Sequence, residues 1–248
     1  EPIRTAQVRA RVTGVVQKRL FAEGAVVQAG QSLYRIDPAP YQAALESAQA
    51  TQAKAEAALA QAQSTLERNR TLAESKMISA LAWDNVQSSH RAAQADVAAA
   101  KAAVQQARLN VEYASVLAPI GGRIGRSLVT EGALVSQQEA TQLTTIQQTD
   151  TLIANFTQSA SEAMRIQRAI ASGNLKGSTS AQVKVLLDDG RVYGLPGRLM
   201  FADIAVDAGT GQVTLRAEVP NPKGELLPGL FIKVRLQVAR SEDAMLLP

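Results

Sequence analysis

The chain has 248 residues, a formal net charge of +4, no cysteine, and 46% apolar residues although only 4% of the chain is aromatic. That length admits one large domain or two to three small ones, and alanine-rich apolar content with so few rings excludes a single large core. Scattered basic residues exclude a nucleic-acid patch, absent cysteine excludes disulfides and thiol chemistry, and no run of about 18 apolar residues is present to cross a membrane.

The sequence opens in strand-like residues with no signal peptide, so a targeting segment is expected to have been removed from it. Residues 8–36 alternate short β-rich runs with turns at Gly14, Gly24 and Gly30, a pattern of short strands too small to hold a core alone. Asp37 followed by Pro38 predicts a helix start, with a carboxylate N-cap and proline at the first helical position.

From Tyr41 to Ala118 there is neither glycine nor proline, and the stretch is filled with residues that lose least on entering a helix. As one helix it would be roughly 115 Å long. A polar interruption at Glu74-Ser75-Lys76-Met77-Ile78-Ser79 divides it, which predicts an antiparallel hairpin with arms roughly 50 Å long. Leu45, Gln52, Leu59 and Leu66 recur every seventh residue with Ala48, Ala55 and Ala62; Val97, Val104 and Val111 recur with Ala93, Ala100 and Ala107. Such heptads specify a left-handed two-helix coiled coil. Its alanine-rich seam buries little area per turn, so its stability is expected to come from its base and from lateral packing.

After the hairpin the first β pattern returns. Ala118–Ile124 aligns with Ala10–Val16 at an offset of 108, which also pairs Leu20 with Leu128, Glu23-Gly24-Ala25 with Glu131-Gly132-Ala133, and Val27 with Val135. A two-residue insertion then brings Leu33 and Ile36 opposite Leu143 and Ile146. This is an internal duplication with the hairpin inserted between its halves, expected to fold as two four-strand halves facing each other in a flattened sandwich. Small turns are expected to join the arm to that sandwich, allowing hinge-like variation in angle. From about Thr149 short strand runs alternate with turns, and Ser159 and Glu162 have capping-box spacing for a helix that Gly173 can close. A small antiparallel barrel with one capping helix is predicted.

No catalytic constellation is present: there is no G-x-S-x-G elbow and no H-E-x-x-H helix. His90 reads as an exposed helix residue. Gly121-Gly122-Arg123-Ile124-Gly125 looks like a phosphate loop, but β sequence follows where a helix N-terminus is needed. Asp188, Asp189, Asp203 and Asp207 could pair as carboxylates, yet each lies beside a turn, where solvated turn residues are far commoner. No metal or cofactor site is read. Lys76 could be the modified lysine of a lipoyl or biotinyl carrier, but carriers place that lysine on a tight β-turn between the two halves, and here the joint is the whole hairpin.

Taken together, Leu33-Tyr34-Arg35-Ile36-Asp37-Pro38, Ala118-Pro119-Ile120-Gly121-Gly122-Arg123-Ile124-Gly125, Val129–Val135, Val206-Asp207, Pro220-Asn221-Pro222 and Leu226–Phe231 resemble the periplasmic adaptors, or membrane fusion proteins, of tripartite efflux pumps. The barrel resembles the branch serving resistance-nodulation-division (RND) transporters. The resemblance implies a mixed α and β, elongated, multidomain chain: residues 1–37 and 116–148 as the halves of a split lipoyl-like β-sandwich, 38–115 as the inserted hairpin, 149–242 as the barrel, and 243–248 as the start of a membrane-proximal domain. It further implies no enzymatic activity and no cofactor. The expected partners are an inner-membrane RND transporter, an outer-membrane channel and further copies of the chain, six in the assembled pump, but no nucleic acid. The expected location is the periplasm, anchored to the inner membrane by a lipidated N-terminal segment absent from this sequence. The family's channel-binding spacing falls on Arg68, Leu72 and Ser79, with Ile78 beside them, at the hairpin tip. An adaptor for an ABC-type exporter is the alternative, and a carrier domain of a lipoate- or biotin-dependent enzyme a remoter one.

Overall fold

The computed structural model describes residues 1–162, 164, 182–187, 190–207 and 209–237. Strands β1 (Pro2–Arg9), β2 (Gly14–Arg19), β3 (Val26–Val27) and β4 (Ser32–Ile36) precede helices α1 (Ala39–Glu74) and α2 (Ala80–Ala114). Strands β5 (Ser115–Leu117), β6 (Gly122–Ile124), β7 (Leu134–Val135) and β8 (Gln142–Ser159) follow, and then β9 (Gln182–Leu186), β10 (Gly197–Val206), β11 (Gln212–Pro220) and β12 (Lys233–Gln237).

The duplication governs the pairing. One sheet runs β5-β4-β2-β7, while β1, β8, β6 and β3 are neighbours in that order within the other. The repeat offset converts one order into the other. Each sheet therefore draws two strands from each half, where the sequence suggested whole halves facing one another. The physical reason lies in the inner strands: β2 and β6 each need a partner on both edges, and each half supplies only one. The reciprocity extends to side chains. The amide of Arg19 donates to Glu131 Oε1 at 2.9 Å, and the amide of Ser127, 108 positions later, donates to Glu23 Oε1 at 3.0 Å. Likewise Gly24 N–H donates to the Ile124 carbonyl and Gly132 N–H to that of Val16.

Between the sheets lie Val12, Val16, Val27, Leu33, Tyr34, Ile36, Ile124, Val135, Leu143 and Ile146, mostly inward strand positions, although Leu33 and Tyr34 are adjacent and both buried. Tyr34 is fully buried yet satisfied. Its hydroxyl donates to the Leu143 carbonyl at 3.0 Å and lies 2.7 Å from Ser127 Oγ, and Phe21 meets its ring edge-on. Burial holds this phenol above the usual tyrosine range, with the Ser127 hydrogen bond opposing the shift. At Gly122 the φ angle is +152°, and a Cβ would stand 2.4 Å from the Gln147 carbonyl oxygen. Only glycine lets β6 lie that close to β8.

Strand β8 runs from the sandwich into the barrel without a break. It pairs with β1 from Gln142 to Leu152 and with β11 from Thr151 to Ser159. The expected boundary between residues 148 and 149 falls within this strand, where the pairing with β1 shifts register between Gln148 and Leu152. Beside it, the buried Asn221 side chain donates to the carbonyls of Thr149 and Leu226 and accepts from the Leu226 amide. The barrel strands are ordered β12-β9-β10-β11-β8 over a second core that includes Leu152, Val183, Val185, Ala217, Val219 and Leu226. Arg191–Tyr193, read as a strand, forms only an isolated bridge from Val192 to Leu186. Ser159 Oγ accepts from the Glu162 amide at 3.4 Å, but most of the expected capping helix, including Gly173, lies outside the described residues, as do 243–248.

Replacing Tyr34 by Phe is expected to cost about 1 kcal/mol in denaturant unfolding: the phenol's hydrogen bond is lost, while the Leu143 carbonyl keeps the Leu128 amide at 2.8 Å. Because the folded phenol titrates above its ordinary value, its contribution is present below about pH 10 and lost as pH rises further. The wild-type chain should therefore lose stability at alkaline pH more steeply than Tyr34→Phe. Gly122→Ala should destabilise by at least about 2 kcal/mol, measured the same way.

Candidate functional site

The two helices form the long antiparallel arm. On α1 partly buried positions recur at alternating steps of four and three from Tyr41 to Ala73, and on α2 the same rhythm runs from Trp83 to Ala114. The heptad residues read from the sequence all lie on this seam. No residue of α1 is fully buried, and on α2 only Val97, Ala100 and, at the base, Ala114 are. Glu56 and Lys101 meet across the arms at 3.9 Å. Being exposed, the pair contributes about 0–1 kcal/mol, but it marks the register. His90, expected on the exposed face, is half-buried on the seam: it sits four residues after Val86 and three before Ala93, in step with the heptad.

At the far end, α1 stops because the chain turns left-handed at Lys76, with φ +57°. The amides of Ser75, Lys76 and Met77 donate back to the carbonyls of Thr71, Ala73 and Leu72. Ser79 then opens α2 from an extended conformation, its Oγ accepting from the Ala82 amide at 3.2 Å. This is the N-cap that its sequence context predicts, and it leaves the hydroxyl hydrogen free to donate.

The four tip residues singled out by the sequence resemblance are gathered within this turn and the last turns of α1. Arg68 and Leu72 are one turn apart on one helix face. The Arg68 guanidinium donates to Ser64 Oγ at 2.8 Å and Thr65 Oγ1 at 3.2 Å. Among the described residues it forms no ion pair, unlike Arg70, which pairs with Glu74 at 3.1 Å. Leu72 is 39% exposed, whereas Ile78 is half-buried. Two residues that sequence reasoning missed dominate the surface here: Met77 at 75% and Leu81 at 71% exposure. Their signal was present. Both are apolar, and both fall off the heptad rhythm in an otherwise polar turn.

The remaining candidates are structural. Asp207 Oδ1 accepts from the amides of Gly209 and Thr210 and from the Thr210 hydroxyl, and these bonds hold its carboxyl below the usual carboxylate range. It is a turn residue. Asp203 lies in β10, and Asp188 and Asp189 are outside the described residues. Gly121 leads into strand β6 rather than a helix. Lys76 sits at the helix-to-helix turn, not on a β-turn between paired strands. Among the described residues no group of acidic and histidine side chains could hold a metal ion, and no helix is long and apolar enough to cross a membrane.

Comparison with known proteins places this architecture. The model for "RND MFP, barrel-sandwich hybrid domain" matches residues 4–147, and that for "RND MFPs, beta-barrel domain" matches residues 151–240. The multidrug export protein AcrE of Escherichia coli is 47% identical over 99% of this chain and 64% of its own length. The multidrug resistance protein MexA of Pseudomonas aeruginosa is 44% identical over 99% of this chain and 61% of its own. Among solved structures, a MacA–MexA chimera carrying the Pseudomonas aeruginosa MexA α-hairpin domain superposes with a TM-score of 0.64 at 26% identity, over 96% of this chain and 79% of that one. The chain belongs to the RND membrane fusion protein (MFP) family. It spans under two thirds of the length of the two curated relatives.

Because Arg68 and Leu72 are exposed, Arg68→Ala and Leu72→Ala should each change global stability by no more than about 0.5 kcal/mol. Ser79→Ala should instead loosen the start of α2 by about 1 kcal/mol, read as faster amide exchange at Ala82 and Trp83.

Proposed function

We propose that this chain is a non-enzymatic periplasmic adaptor that links an inner-membrane RND drug/proton antiporter to an outer-membrane channel and helps to seal the conduit between them. Membership of the family supports the transporter type, and the names of the relatives point to multidrug export. The observation that carries the reading is the tip itself. An arm roughly 50 Å long ends in Leu72, Met77 and Leu81, apolar side chains with no core of their own to cover them.

In this reading Leu72 enters the partner as a knob between helices. Arg68, free of a carboxylate, donates to carbonyls or acids at the partner's helix turns. Ser79 hydrogen-bonds across the close helical contact, and Ile78 packs behind it. Six copies side by side give the alanine-rich arms the lateral neighbours that one hairpin lacks. The resemblance supports attachment to the inner membrane through a lipidated N-terminal segment.

A photo-reactive residue at position 72, with a control at exposed Lys54, tests the bridge in cells. An adduct with an outer-membrane channel is expected from position 72 and not from 54. Equal labelling at both positions, or none at 72 in a working pump, would remove the tip assignment. Deleting residues 45–110 should abolish drug resistance restored to a pump-null strain; retained resistance would contradict the adaptor reading.

A further inference from the structure

The arm meets the sandwich at two chain crossings, and each crossing carries a tyrosine. Tyr41 lies in the first turn of α1, and Tyr113 is next to last in α2. Both rings are half-buried against the core of the sandwich. Both are also held by one short link, residues 10–13, which joins β1 to β2. The Tyr41 hydroxyl donates to the Thr13 carbonyl at 2.5 Å, and the Arg11 guanidinium carbon stands 3.6 Å from the centre of the Tyr113 ring.

The link is itself fixed. Ala10 and Val12 are buried, while the Arg11 side chain and the Thr13 carbonyl meet the two tyrosines of the arm. The Ala10 amide donates to the Thr141 carbonyl at 2.9 Å, and the Gln137 amide to Thr13 Oγ1 at 3.1 Å. Next to it the Asp37 carboxylate accepts from Gln17 Nε2 at 3.0 Å and from the Ala39 amide at 3.1 Å, tying the start of α1 to β2.

The duplication supplies an internal comparison. At the offset of 108, the counterpart of Arg11 is Pro119, which has no cation to set over a ring. That second link faces the barrel, where it lines an open groove of about 620 Å³ together with Asn221, Pro222 and Gly224. The same turn thus grips a neighbour at one end of the sandwich and stands clear of one at the other.

We propose that Arg11, Tyr41 and Tyr113 are positioning residues that lock the angle at which the arm leaves the sandwich. A cation–π contact and one hydrogen bond are individually modest, but they act at the fulcrum of a long lever. A freedom of roughly 10° at the base would sweep the tip through roughly 9 Å, given 36 residues at 1.5 Å each. This is wide enough to separate Leu72 from any fixed partner surface. The clamp goes beyond the efflux reading and does not require it, because the angle can be measured without a channel or transporter.

The chain has no cysteine, so nitroxides on Lys18→Cys in β2 and Ala92→Cys in α2 report one defined distance by double electron–electron resonance. A single narrow distance is expected in the otherwise wild-type chain. Arg11→Gln combined with Tyr41→Phe should broaden it by roughly 6 Å for a 10° release, with helical circular dichroism retained, while Arg11→Lys, which keeps a cation over the ring, should stay narrow. Should the double variant lose its helical signal, Tyr41→Phe alone carries the test and should broaden the distance. A distribution as narrow as wild type in the folded variant, or one already broad in the wild type, would overturn the clamp.

Discussion

The exchange of strands between the two halves of the repeat is the constraint on which the other parts rest. Neither half can satisfy its own inner strand, so β7 completes the sheet around β2, and β3 completes the sheet around β6. Glu23 and Glu131 close the turn of the opposite half. The arm is inserted between the halves, so its two ends are brought together by the same pairing that makes the core. Folding the sandwich therefore closes the long loop that so large an insertion would otherwise leave open, and the entropy of that closure is met by strand pairing rather than by the arm.

This division of labour explains how the arm can be so thinly packed. Alanine contributes little apolar area, and no α1 residue is fully buried. Helix propensity keeps each arm helical and the heptad keeps the arms in register, but neither gives the seam much depth. What the sandwich adds is an anchor at one end. What the proposed ring adds is a neighbour on each flank. At the tip, where neither reaches, the exposed apolar residues are the ones left for the proposed partner. On the other side of the sandwich β8 continues, through a shift in its pairing with β1, to pair with β11, so sandwich and barrel share one continuous strand.

Most of this organisation was legible in the sequence, for physical reasons. The heptads of Leu45–Leu66 and Val97–Val111 fixed the seam, because a 3.5-residue period has no other common explanation. The glycines at 14, 24, 122 and 132 exposed the duplication, because turns tolerate few substitutes. Less legible was how the halves pair, since a repeat specifies equivalent strands without saying which copy each will join. The passage from sandwich to barrel carries no turn signal, because a polar run without glycine or proline can still be strand, and Gln147–Asp150 continues β8. His90 was misread because a histidine was judged by its chemistry and not by its heptad position. The proposed tip contact rests on resemblance: spacing alone offers Ser79 as a cap, which it is, whereas the exposure of Met77 and Leu81 had to be seen.

The claim that one unbroken strand carries the fold from the arm's base into the barrel is most directly tested by hydrogen exchange followed by mass spectrometry on the native chain. Amides of β8 on both sides of the register shift, Leu143–Gln148 and Leu152–Phe156, should become exchangeable together in one cooperative opening. Exchange of one flank through an opening that leaves the other protected would show that sandwich and barrel come apart there and contradict the account.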